Sequence, residues 1–347
     1  MSNRIKVLGA GLVCVDIVHD GTSTRIMNGG SCANVISVLA QIGYDCRVIR
    51  EQYDDPMESF LSNTLSTLGV KQIYYKQSRA STPRVIEQVV ASKHCFYTIC
   101  PSCGKKILAL KLPASEDIVS LSEEITDVDV FYCDRTSSGI KELIGTVNTH
   151  GGIVFYEPNS VRNMNSVLET VKISDIVKFS KDRVPTGIAE RIRREGDRVK
   201  LIISTEGAQG AKFSYRNEHG VMSPWINIPS IFDGPIIDSS GAGDWLTAGF
   251  LSELIICKGD LSLEKLKNAR EITNMLNKGM KYSKLCCASI GAQGFFYEPY
   301  CSREFSRLTT GKYRLENLQM PKSLVVDKKQ CPMCLSEIPQ KTAIAVH

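Results

Sequence analysis

The segment Asp238-Ser-Ser-Gly241-Ala242-Gly243-Asp244 holds the residue types best suited to chemistry on an anion. Two glycines flank a small residue just before an apolar run, Trp245-Leu-Thr-Ala-Gly-Phe-Leu251, that reads as a helix. Backbone N–H groups in such a turn point unobstructed at a ligand, and the helix N-terminus adds a field that favours negative charge. Asp244 falls in the first helical turn, beside that hole. There a carboxylate can take the proton of an attacking hydroxyl while the N–H groups stabilise charge on a transferring phosphoryl group. The same residues also suit a glycine-rich turn with Asp244 merely opening a helix, and spacing alone leaves both readings open.

Four of the 13 cysteines form a second chemical signal. Most of the others, among them Cys14, Cys133, Cys257, Cys286 and Cys287, sit singly in apolar runs, where a reduced thiol is a small core hydrophobe. By contrast, Cys100-Pro-Ser-Cys103-Gly and Cys331-Pro-Met-Cys334 are two C-P-x-C turns. Together they supply four thiolates for one structural, tetrahedral Zn²⁺, provided the tail returns to the first pair. Four thiolates leave no open position for catalysis. A redox C-x-x-C pair and coincidence are the rival readings, and redox pairs usually sit at a strand-to-helix junction. His94 and Cys95 read as strand residues near the first turn rather than as ligands.

The elements that must position these groups follow from composition and periodicity. With 347 residues, 43% hydrophobic and 23% charged, the chain can form one large α/β unit with a smaller attachment. The net charge of +5 is spread along the length, too weakly for nucleic acid to be an expected partner. The arginines between 191 and 198 read as a solvated helix end. No apolar stretch is long enough to cross a bilayer. Residues 1–6 lack the pattern of a signal peptide, so a cytoplasmic location and no membrane partner are expected.

A buried strand is predicted over 5–10, a helix over 32–42 stopped by Gly43, and a second helix through Leu61, Leu65 and Leu68. Short strands over 84–90, 94–99 and 106–110, with little helix between them, predict a small β lid within 76–112. From residue 128 strands over 128–133, 153–156, 175–179 and 199–204 alternate with helices such as 138–147 and 185–194. Helices over 241–257 and 263–288 close the unit. This alternation predicts a doubly wound α/β fold with a mostly parallel sheet, binding ligands at the carboxyl ends of its strands. The expected organisation is a main domain over 1–300 containing the lid, then a C-terminal extension over 301–347 tied by the zinc knuckle.

Several segments together resemble a known family. Asp238-Ser-Ser-Gly-Ala-Gly-Asp244 is similar to the D-T-x-G-A-G-D signature of ribokinase-like (PfkB-family) carbohydrate kinases. Gly29-Gly30-Ser-Cys-Ala-Asn34, continuing to Gly43, resembles the family's N-terminal G-G-x-x-x-N signature. Tyr156-Glu157-Pro158-Asn159 resembles its D-P-N strand end, and Thr205-Glu-Gly207-Ala-Gln-Gly210 its T-x-G-x-x-G nucleotide loop. Asp16 falls where the family carries a substrate-binding aspartate.

The resemblance implies an ATP-dependent transfer of a phosphoryl group to a sugar or sugar-containing metabolite. In that case Asp244 is the base and Gly241, Ala242 and Gly243 form the anion hole. Asp16, Gly30 and Asn34 would hold hydroxyls of a polyhydroxy acceptor. Ser180, Thr205, Gly207 and Gly210 would meet the ATP, with Mg²⁺ bridging its phosphate oxygens. A nucleoside kinase, and a non-catalytic nucleotide or sugar sensor using the zinc site for interactions, are the alternatives. A homodimer through the lid is left open. Two positions depart from the family pattern. Arg183 stands where a glutamate is expected, with Asp182 as its substitute or Arg183 itself on the phosphate. Trp245 replaces a small residue, either narrowing the site or packing against a neighbour.

Overall fold

The computed structural model describes residues 4–21, 23–90, 93–121, 125, 127–159, 161, 163–255, 263–298, 301–309 and 330–336. Its centre is a nine-stranded sheet in the order β13-β12-β11-β10-β9-β8-β1-β4-β5. In chain order the members are β1 (Lys6–Ala10), β4 (Asp45–Gln52), β5 (Lys71–Gln77), β8 (Val130–Cys133), β9 (Ile153–Tyr156), β10 (Ile176–Ser180), β11 (Leu201–Thr205), β12 (Ala211–Tyr215) and β13 (Ile226–Ile228). All pairs from β5 to β11 are parallel; β12 and β13 add antiparallel at one edge. These last two strands are short and half-polar and carry no clear strand signal in the sequence; β4 and β5, interrupted by charged residues such as Arg50, Glu51 and Lys76, were not expected either.

Strands such as Val130-Phe-Tyr-Cys133 and Ile153-Val-Phe-Tyr156 are buried at every position. A parallel sheet covered on both faces requires that. Val130, Tyr132, Phe155 and Ile203 pack in one core with α1 (Ser31–Ile42), α2 (Pro56–Thr67), α7 (Ala242–Leu254) and α8 (Ala269–Cys286). Phe131, Val154, Val177 and Ile202 face the opposite way. They pack with α3 (Ser115–Val119), α4 (Ser138–Thr149), α5 (Met164–Lys172) and α6 (Ile188–Glu195). The expected doubly wound architecture is therefore present. Helix starts follow local chemistry: Asp55 accepts from Met57 N and Glu58 N ahead of Pro56, and Asn268 caps α8 in the same way. That cap divides the expected 263–288 helix into a 3₁₀ turn, Leu263–Lys267, and α8.

A second sheet of four strands, in the order β3-β2-β6-β7, covers the carboxyl ends of the first. It joins β6 (Arg84–Val90) and β7 (Lys93–Tyr97) to the hairpin β2 (Cys14–His19) and β3 (Thr24–Gly29). The sequence gives little sign of this hairpin, because Cys14-Val-Asp-Ile-Val-His19 shows no clean alternation. Residues 106–110 form no strand; one bridge joins Ile99 to Lys106. Among the described residues, no helix is long and apolar enough to cross a membrane. A last helix, α9 (Cys301–Thr309), packs on α8.

Trp245 packs against a neighbour rather than facing the site. It is fully buried among Phe295, Phe296 and Phe305, with ring centroids 5.5, 5.1 and 6.2 Å away. Its Nε1–H donates to Ala292 O at 2.8 Å. Trp245→Ala should therefore lower unfolding free energy by ~3–5 kcal/mol in a denaturant titration. A loss below about 1 kcal/mol would contradict this packing role.

Candidate active site

The N-terminus of α7 is built by glycine conformation and one buried carboxylate. Gly241 has φ +76°, and a Cβ there would lie 2.4 Å from Ala292 Cβ, so no other residue fits without displacement. Asp238, 1% exposed, accepts from Ser240 N and Gly291 N, both at 2.7 Å. The glycine turn is thus tied to the loop after α8. Asp244 follows in the first turn of α7, 8% exposed, and its Oδ2 accepts from Asn34 Nδ2 at 2.7 Å.

Two cations stand on the far side of the turn. Lys178, 1% exposed on β10, has its Nζ 3.7 Å from where a Gly243 Cβ would be. It is paired with Glu157, whose other oxygen accepts from Tyr132 OH at 3.2 Å and Thr247 Oγ1 at 3.0 Å. Arg183 donates to Asn159 Oδ1 at 3.0 Å, and Asn159 in turn donates to Ser31 Oγ at 2.9 Å. Arg183 therefore stands with the cations of the site, while Asp182 is exposed. Burial and the nearby Glu157 raise the Asp244 carboxyl to about 6, against the pull of Asn34, Lys178 and Arg183.

The acceptor-side candidates converge under the lid. Asp16 lies on β2, and a Cβ on Gly29 would stand 1.9 Å from its carboxylate, so the glycine makes room for it. Gly30, at φ +91°, opens α1, and Asn34 sits one turn later. In the parallel β2–β6 pair, Asp16 is opposite Val85 and Val18 opposite Glu87. Asp16 and Glu87 consequently share a face of the lid. Glu87 accepts from Ser240 Oγ and contacts His94 Nδ1 at 2.7 Å. Burial, then Glu87, Asp244 and Asp238, raise Asp16 to about 7. Ser180, Thr205, Gly207 and Gly210 lie at the carboxyl ends of β10 and β11 and in the turn that follows; the Cα of Gly207 faces open space. Lys178, Glu87 and Gln293, delivered by distant strands and loops, carry no local signal in the sequence, and Glu157 is marked there only by its strand-end motif.

The C-P-x-C turns meet at the side of the lid. Cys100 Sγ lies 3.8 Å from Cys331 Sγ, and Cys103 Sγ 3.6 Å from Cys334 Sγ. All four sulfurs lie within 4.8 Å of one another, a set able to hold a metal ion. These distances exceed the ~2.05 Å of a disulfide.

The fold and the likeness to known proteins define an ATP-dependent carbohydrate kinase. Residues 11–295 match the pfkB family carbohydrate kinases, and the chain belongs to that family. It is 25% identical over 282 residues to the fructokinase of Escherichia coli, covering 73% of this chain and 85% of that protein. In fold it is similar to the ATP-bound fructokinase of Xylella fastidiosa, with a TM-score of 0.67, 18% identity, and coverage of 88% and 98% of the two chains. It is also similar to the adenosine kinase of Sinorhizobium meliloti, with a TM-score of 0.63, 16% identity, and coverage of 84% and 96%.

An aspartate ordinarily ionises near 4. With Asp16 raised to about 7, folding takes up a proton between those values, and stability falls as pH rises through that window. Asp16→Asn should raise the unfolding midpoint of ligand-free protein at about pH 8, with a much smaller effect at about pH 4. An unchanged or lowered midpoint at the higher pH would contradict the crowding of carboxylates under the lid.

Proposed function

We propose that the protein transfers the γ-phosphoryl group of ATP to a hydroxyl of a neutral polyhydroxy sugar, with Asp244 as base. The observation that carries this reading is the placement of the Asp244 carboxylate beside the Gly241–Gly243 turn, with Lys178 on one side and the acidic lid on the other. The acceptor oxygen bonds to the γ-phosphorus as the bond to the bridging β,γ-oxygen breaks, and the acceptor proton passes to Asp244. Backbone N–H groups of Gly241, Ala242 and Gly243, with Lys178 and Arg183, offset the charge on the transferring group. Ser180, Thr205, Gly207 and Gly210 would hold the nucleotide, and a Mg²⁺ bound with it would supply charge neutralisation of its phosphates. Asp16, Gly30 and Asn34 hold the acceptor, whose hydroxyls suit a carboxylate and an amide. With Asp16 and Glu87 both facing the acceptor, an anionic sugar is disfavoured.

The fructokinase likeness makes D-fructose the first acceptor to try. One observation favours a nucleoside instead: Phe96 on the lid strand β7 is 54% exposed and stacks on His94, 6.5 Å between centroids. ATP consumption should therefore be measured across D-fructose, D-ribose and adenosine. Asp244→Asn should fold and bind ATP while losing about 10²–10⁴-fold in turnover on the acceptor found. Near-normal turnover in that variant would remove Asp244 from the role of base.

The cysteine cluster is read as a structural Zn²⁺ centre of the C-terminal extension. Tetrahedral zinc with bonds of ~2.3 Å separates its sulfurs by ~3.8 Å, close to the spacings of 3.6 and 3.8 Å here. The tail around it docks on the lid: His19 Nε2 lies 3.0 Å from Met333 O, and Arg84 Nη1 donates to Cys334 O at 2.9 Å. Elemental analysis should find about one zinc per chain, lost when Cys331 and Cys334 become serine. In that double variant the KM for the acceptor should rise more than the KM for ATP. Iron in place of zinc, or no metal after purification without chelator, would overturn the assignment.

A further inference from the structure

The site holds one side chain to which nothing so far gives a role. Gln293, 0% exposed, lies in the loop after α8, and its Nε2 donates to Asn34 Oδ1 at 2.9 Å. Asn34, 3% exposed, donates through Nδ2 to Asp244 Oδ2 at 2.7 Å. We propose that Gln293 is a positioning residue for phosphoryl transfer, locking the Asn34 amide so that its N–H faces the Asp244 carboxylate. The proposal rests on Asp244 being the base.

The direction of this chain follows from donor and acceptor capacity. An ionised carboxylate only accepts hydrogen bonds, so the Asn34 amide must turn Nδ2 toward Asp244. Its Oδ1 then faces away, into a buried space that requires a donor, and Gln293 supplies it. Without that donor the amide can rotate half a turn and set an oxygen against the carboxylate. The lock is asymmetric: Gln293 Oε1 is buried with no hydrogen-bond partner among the described residues. Leaving such an oxygen unmet is costly, so packing alone gives no reason for an amide here. The surroundings fix Gln293 closely. Gly291 N–H holds Asp238, and Ala292 O takes the Trp245 N–H, so three successive residues brace the clamp, α7 and the α1 amide. Asn34 keeps its second Nδ2 hydrogen for an acceptor hydroxyl, so one lock orients both the base and the group it deprotonates.

The other charged or titratable groups acting on Asp244 come from several elements. Glu157 lies after β9, Lys178 is on β10, Arg183 lies just beyond it, and Asp16 is on β2. Burial is the main cause that pushes Tyr132 on β8, Cys32 on α1 and Cys286 on α8 upward, with Asp244 a smaller one in each case. The side-chain hydrogen bond of Gln293 among the described residues goes to Asn34, so a change there reads out through Asn34.

The test requires no knowledge of the acceptor. Protein carrying ¹³C-carboxyl aspartate is titrated by NMR in the ligand-free state, with the Asp244 resonance identified by its loss in Asp244→Asn. A hydrogen bond to a carboxylate favours its charged form, so removing the donor raises the midpoint. In Gln293→Met, which is near in volume, the Asp244 midpoint should rise by about one pH unit. In Gln293→Glu, whose carboxylate invites the Asn34 amide to rotate, it should rise further, although the shape is retained. With ATP and D-fructose, D-ribose or adenosine, whichever is turned over, kcat should fall about tenfold or more. Its acidic limb should move with the NMR midpoint, and the KM for ATP should stay unchanged. An unmoved midpoint in folded Gln293→Met overturns the proposal, even if kcat falls, because the residue would then be structural only. A moved midpoint in a protein that phosphorylates none of the three acceptors retains the lock and fails only the functional reading it rests on.

Discussion

The clamp of Asp238 on two backbone N–H groups is the contact on which the arrangement depends. One oxygen holds Ser240 in the glycine turn, and the other holds Gly291 in the loop after α8. These segments are more than fifty residues apart, yet the approach between them leaves no room for a side chain at Gly241. Because Gly291 is fixed, Ala292 meets the Trp245 indole and Gln293 reaches Asn34. Because Ser240 is fixed, its hydroxyl meets Glu87 on the lid. Hydrogen bonds to both of its oxygens offset the cost of burying this side chain.

The charges around α7 are sorted by side. Lys178 and Arg183 lie on one side of the glycine turn and Asp16 and Glu87 on the lid; in the proposed reaction the first pair would meet phosphate oxygens and the second hydroxyls. Lys178 is tolerated in the core because Glu157 neutralises it, and Glu157 is itself held by Tyr132 and Thr247. Such a pair adds little net stability when buried. Its value here is a cation fixed in place before any ligand binds. The crowding under the lid is the opposite case, since Asp16 has one thiol contact, from Cys14 at 3.4 Å, and like charges nearby. Stability is given up there for a surface that hydroxyl groups can satisfy.

What could be read from the sequence was local. The glycine turn, the start of α7 and the two C-P-x-C turns are each set by neighbours within a few residues, so spacing alone suggests them. The middle of the parallel sheet, β1 and β8 to β11, was legible because strands buried on both faces have a continuous apolar texture, whereas charged residues interrupt β4 and β5. The β2–β3 hairpin was not, because Cys14-Val-Asp-Ile-Val-His19 has that same texture while pairing outside the main sheet. Gln293 meets Asn34 across 259 positions, and Glu157 meets Lys178 across 21. Partnerships of this kind depend on strand register and loop closure, which no local pattern encodes. Trp245 was ambiguous for the same reason: the three phenylalanines around it all come from residues 295–305.

The docking of residues 330–336 on the lid has a consequence for the order of assembly. Cys100 and Cys331 are 231 positions apart, so the lid's side wall waits for chain made long after its strands. At ordinary rates of synthesis, ~5–20 residues per second, that wait is at least ten seconds. During it, Arg84 and His19 lack the backbone carbonyls they meet in the finished fold. The strands carrying Asp16 and Glu87 thus reach their final setting only after the whole central sheet has been translated. A nascent chain shorter than this would hold the glycine turn and the central sheet, but a lid whose side wall is unfinished.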